Sequence, residues 1–165
     1  MIYDRPVRTL LPLLALPIFL AACVNPDQSI FIEPAIKNAT AFVGTHPLGT
    51  SIKGEFTLNL HLGPRASGSS QVTLGAFSIL DSGQTAAITS VQIEATATEF
   101  PVTVDLDSFS FVALTFNLGN KLLPIEAKGQ LCDPTGVIIS GTIQDSLLGG
   151  STSFFSKIVH PTGCM

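Results

Sequence analysis

Tryptophan is absent, and the one tyrosine, Tyr3, stands almost at the start of the chain. Proteins that stack sugars or unpaired bases usually do so on aromatic faces, and membrane β-barrels carry girdles of Trp and Tyr. Both roles lose weight. Charge is scarce as well: 12% of residues are charged, 8 basic against 12 acidic, for a net charge of −4. No basic run occurs, and phosphate backbones need a positive footprint, so nucleic acid is not an expected partner. The chain has no Gly-x-Ser-x-Gly elbow, phosphate loop, dinucleotide fingerprint or cysteine cluster. It shows neither a sustained helical period nor a fixed-length repeat. The aromatic content is carried by eleven phenylalanines, whose spacing reads as core rather than as a surface platform.

Long apolar runs are missing too, with one exception near the start. Arg5 and Arg8 precede LLPLLALPIFLAA, an uncharged run of about 13 residues, whereas a bilayer core needs roughly 20. Pro12 and Pro17 each remove a backbone donor and disfavour a permanent helix. A basic start, an apolar middle and small residues at the end form the layout of a removable export signal.

That run ends in Leu20-Ala21-Ala22-Cys23, which resembles the lipobox of bacterial lipoproteins at all four positions. The resemblance covers 23 of the 165 residues. It implies cleavage between Ala22 and Cys23, a diacylglyceryl group on the Cys23 thiol and acylation of the new amino terminus. Each buried methylene contributes about 0.8 kcal/mol, so two or three chains anchor firmly where one would not. Val24 follows Cys23; by the enteric sorting rule an aspartate there would retain the protein at the inner membrane, so an outer-membrane location is implied. The expected division is a lipoprotein signal peptide at 1–22, a lipidated tether at 23–29 and a single β-domain at 30–165.

With Cys23 lipidated, Cys132 and Cys164 remain. Outside the cytosol such a pair is most simply a disulfide, with two free thiols as the alternative. The pair does not make a closed set of four ligands, so no metal site is expected. Closing a loop of this length stabilises by about 3–4 kcal/mol in the entropic account.

Beyond the tether, period-two patterns dominate. Ile52, Phe56, Leu58, Leu60 and Leu62 alternate with Lys53, Glu55, Thr57, Asn59 and His61, as in a strand with one wet face. Residues 71–80 read as its hairpin partner across the loop GPRASGSS. Further strands are expected at 86–98, at 102–118 with bulges near Asp107-Ser108 and Phe111-Val112, and at 122–131, 137–144 and 152–159. Shorter ones are placed at 29–34 and around 40–43. The turns Asp81-Ser82-Gly83-Gln84, Asn117-Leu118-Gly119-Asn120 and Leu148-Gly149-Gly150 separate them. The fold class is all-β, an antiparallel sandwich of about eight strands, with a small closed barrel as the alternative.

No catalytic residue, metal ligand or cofactor emerges. His46 and His160 each precede a proline and read as loop residues, and His61 as a surface residue. Asp105 and Asp107 are expected on one strand face, where two carboxylates alone build neither an acid-base pair nor a calcium site. The expected function is therefore non-enzymatic: surface interaction or envelope structure, with loops 44–50 and 63–70 as contact points for a protein partner. The alternative is a carrier of lipid or another apolar ligand in a hollow barrel.

Overall fold

The computed structural model describes residues 29–165; the lipobox, the Ala22–Cys23 cleavage point and all but the last residue of the tether lie outside the described residues. Eight strands follow in order: β1 Glu33–His46, β2 Gly49–Leu62, β3 Ser70–Asp81, β4 Ala87–Ala95, β5 Val102–Val104, β6 Ser108–Asn117, β7 Val137–Asp145 and β8 Gly150–Phe155. One short helix, α1 Ala127–Leu131, lies between β6 and β7. Neighbours run in the order β1-β2-β6-β4-β3-β7-β8, with β5 on the flank of β3, and the pairings between these strands are antiparallel.

The sheet curls because β4 belongs to both of its halves. Residues 87–91 pair with β3, and residues 92–95 pair with β6. The two free edges, β1 and β8, are bridged by the segment after β8. Val159 exchanges hydrogen bonds of 2.8 Å with Val137. Three residues on, Thr162 accepts from Val43 N–H at 2.8 Å and donates to the Ala41 carbonyl at 3.0 Å. This strap satisfies part of the edge ladder of β1 that would otherwise face water.

Alternation puts the apolar members of both halves inside. Leu58, Leu60 and Leu62 of β2 are fully buried, as are Ile79 of β3 and Ile139 and Ile143 of β7; each such side chain stabilises by about 1.5–3 kcal/mol through burial. Four phenyl rings meet between the halves. Phe56 lies 5.9 Å from Phe77 and 6.4 Å from Phe116, and Phe77 lies 5.8 Å from Phe154 at a steep angle. Two glycines make room for them: a Cβ on Gly141 would stand 2.5 Å from the Phe77 ring, and one on Gly54 would stand 2.5 Å from Phe116 and 2.1 Å from the Thr40 carbonyl.

Several expectations need correction. Strands 29–34 and 40–43 are one strand, β1, interrupted by a bulge between Lys37 and Thr40 where Asn38 takes φ 52°; asparagine tolerates that left-handed conformation. β2 and β3 do not form a hairpin, since β2 pairs with β1 and β6 while β3 pairs with β4, β5 and β7. In place of the strand at 122–131, Leu123 makes one bridge to Thr50 and Ala127–Leu131 is helical. Pro124 cannot donate to a ladder, and Ala127 and Leu131 recur at helical spacing, with Leu131 buried. β8 stops at Phe155, ahead of the expected 159. The 102–118 segment bends at Asp105–Asp107, near the first expected bulge, but β6 pairs with β2 without any shift through Phe111-Val112.

Candidate functional site

The described chain begins beside the last residues of β2, where Gly63 N–H donates to Ser29 Oγ at 3.2 Å. Three residues later Ile32 N–H donates to Asp145 Oδ2 at 2.7 Å. Asp145 ends β7 and is 2% exposed. Its other oxygen accepts from Ser70 Oγ, which is itself buried, and from Leu147 N–H at 2.9 Å. Ser146 continues the network, 3.1 Å from Ser70 Oγ and accepting from Gln71 N–H at 2.9 Å. A buried carboxyl group is tolerated in such a place because several hydrogen-bond donors replace its water. The chemistry here is structural: it ties the incoming chain to β3 and β7.

On the outer face of the same end stands an aromatic ladder. The β2–β6 register sets His61 opposite Phe109 and Asn59 opposite Phe111. The His61 ring lies 4.2 Å from Phe109 and nearly parallel to it, and Phe111 follows at 6.3 Å. Phe109 and Phe111 are 55% and 66% exposed. His61 Nδ1 is 3.7 Å from Glu33 Oε2. Asn59 Oδ1 is buried with no hydrogen-bond partner among the described residues. Two of the phenylalanines that sequence spacing assigns to the core therefore form an outward platform, and His61, expected on the surface, is largely covered, with 12% of its side chain exposed.

A groove of about 720 Å³ runs along the seam between β1 and the strap. Ala41, Phe42, Gly54, Phe116, Val159 and Thr162 contribute to its walls, with Lys53 and Glu55 beside them. The Lys53 ammonium sits 5.7 Å from the centre of the Phe42 ring, a cation–π distance.

The remaining residues singled out in the sequence are scattered. Cys132 and Cys164 are joined, with Cα atoms 5.5 Å apart, and fasten the strap to the segment after α1. Asp105 and Asp107 do not share a strand face, since β5 ends at Val104 and Asp107 occupies a turn at φ 52°. His46 Nε2 is 3.0 Å from Ser51 Oγ across the β1–β2 turn, and His160 lies in the strap. Loops 44–50 and 63–70 stand at opposite ends of β2. Among the described residues no three His, Cys, Asp or Glu side chains gather as metal ligands. Two turn carboxylates are held below the usual value: Asp81 chiefly by the Thr85 hydroxyl and then by Ala86 N–H, Asp133 by the Thr135 hydroxyl and then its N–H.

Fold and site together define an all-β domain whose antiparallel sheet curls on itself, with a buried carboxylate at one end and an aromatic ladder beside it. No protein-family model matches the chain, and neither a curated protein nor a solved structure does.

Proposed function

We propose that this chain is a lipoprotein of the bacterial outer membrane, cut between Ala22 and Cys23, anchored by lipid on Cys23, and carrying a non-enzymatic β-sandwich for surface interaction. The meeting of Phe56, Phe77, Phe116 and Phe154 between the two halves supports a filled sandwich over a hollow barrel. The observation that carries the interaction role is an apolar tip at the end away from Ser29. Leu48, 88% exposed, caps the β1–β2 turn, whose Gly49 lies against exposed Leu122, and exposed Ile125 follows three residues on. Paired bonds of 2.9 and 2.8 Å between Thr50 and Leu123 fix that cluster in place. Rigid, exposed apolar groups at a tip mark contact sites.

The test has two parts. Mass spectrometry of the mature amino terminus reads the lipid, and Cys23→Ser is expected to release the protein from membranes. A photo-crosslinker placed at Leu48 is expected to give a discrete adduct on cells, with none from the same group at Ser67. No adduct from Leu48, or equal adducts from both positions, overturns the interaction role. A second reading, a carrier of an apolar ligand, draws on the seam groove rather than on a hollow interior. A fluorescent fatty acid would then bind the wild-type protein and lose affinity on Ala41→Phe.

A further inference from the structure

The strand ends gathered round Ser29 carry more apolar surface than securing the chain requires. Ile30 and Phe31 lie between Ser29 and the Asp145 contact of Ile32. Leu106 lies in the turn between Val104, which pairs with Ser70, and Ser108, which pairs with Leu62. Phe109 stacks on His61 one step further along, and Leu148 caps the turn closed by Gly149 N–H on the Asp145 carbonyl at 2.9 Å. These five side chains are each between 38% and 55% exposed, and they come from three separate chain segments that converge on one end.

We infer that this end of the domain docks on the surface of the bilayer that holds Cys23, with Phe31, Leu106 and Phe109 entering the headgroup boundary. This rests on the lipoprotein reading above. Six residue-to-residue steps lead from Cys23 to Ser29, so a fully extended tether reaches about 20 Å at 3.3–3.6 Å per residue. The other apolar cluster, around Leu48, lies at the far end of the fourteen-residue β2, about 40 Å away at the rise of a strand. Only the Ser29 end stays within reach of the acyl chains whichever way the domain turns. Confinement on a short tether makes even weak burial an intramolecular event with a high effective concentration. Asp105 and Asp107 flank Leu106, which selects a zwitterionic headgroup, whose ammonium can meet a carboxylate, over an anionic one.

The absence of tryptophan makes the test clean, since a single introduced indole is the sole such fluorophore. Phe109→Trp, Leu106→Trp and Leu48→Trp proteins are purified from membranes and reconstituted in zwitterionic vesicles with brominated acyl chains. Docking predicts that the indoles at positions 109 and 106 lose at least about half their emission and that the one at 48 is unchanged, as burial to the acyl boundary requires. Substituting anionic lipid for part of the zwitterionic lipid is expected to weaken the quenching. Unchanged thermal unfolding shows that each variant keeps its fold, and the turn position of Leu106 provides a reading should Phe109→Trp disturb β6. A lipidated chain with no quenching at 106 or 109, or with equal quenching at 48, overturns the docking alone. An unmodified Cys23 in the mass spectrum overturns the lipoprotein reading and the docking with it.

Discussion

Replacing Asp145 by alanine tests how the start of the fold is held. The substitution removes the acceptor of three hydrogen bonds, from Ile32 N–H, Ser70 Oγ and Leu147 N–H. Ile32 and Ser70 are buried, and a buried donor left without a partner costs about 1–3 kcal/mol. Ser70 can still turn to Ser146, 3.1 Å away, and Leu147 N–H is only partly buried, so the loss falls mainly on Ile32. The expected destabilisation is about 2–3 kcal/mol, which for a domain of this size lowers Tm by roughly 10 °C. Urea unfolding measures the first quantity, and calorimetry the second. Hydrogen exchange should show the Ile32 amide losing protection more than the amides of central β2. A loss below about 1 kcal/mol, or no preferential exchange at Ile32, would refute the carboxylate as the fastening point.

Other consequences are simpler to check. Thr50 is fully buried and its Oγ1 has no partner among the described residues, so Thr50→Val, which keeps the shape and removes the orphan, should raise stability by about 1 kcal/mol in denaturant unfolding. Cys164→Ser opens a loop of 32-residue separation and should cost about 3–4 kcal/mol; reductant should destabilise the wild-type protein by a similar amount and the variant hardly at all. The carboxyls of Asp81 and Asp133 are held below their ordinary value, so their contribution is present above the unfolded pKa and disappears as pH falls below about 4. Asp81→Asn should therefore lower Tm more at pH 7 than at pH 3, as read by calorimetry at both.

Local patterns in the sequence carried much of this. The alternation of 52–62 marks β2 because a two-sided strand needs period two, and Asp81-Ser82-Gly83 marks the β3–β4 turn because the aspartate side chain can accept from the Thr85 and Ala86 N–H groups. Pairing partners were hidden. β2, β3, β4 and β6 alternate alike, so nothing local says that β2 prefers β6, some fifty residues away, to β3 next door. At β6 the available signal was parity: Val112, Leu114 and Phe116 fix the inner face, which leaves Phe109 and Phe111 outside with Thr115 and Asn117. Hydrophobicity argues the other way at those two positions, and parity wins because the ladder to β2 is unbroken. The role of Asp145 is set by what three distant segments bring to it, and no local pattern records that.

The order of strands in space also governs the order in which they can assemble. A chain delivered amino-terminus first, by a ribosome or an export channel, can zip β1 onto β2 at once, but β2 then waits for β6 to supply its second neighbour. Because β4 serves both halves, neither can be completed in isolation, and the last stitches, Thr162 to β1 and Cys164 to Cys132, come from the final residues. Such non-local pairing slows folding. On the lipoprotein reading proposed above, which requires export as an open thread, delay of this kind would keep the chain threadable until its end has passed.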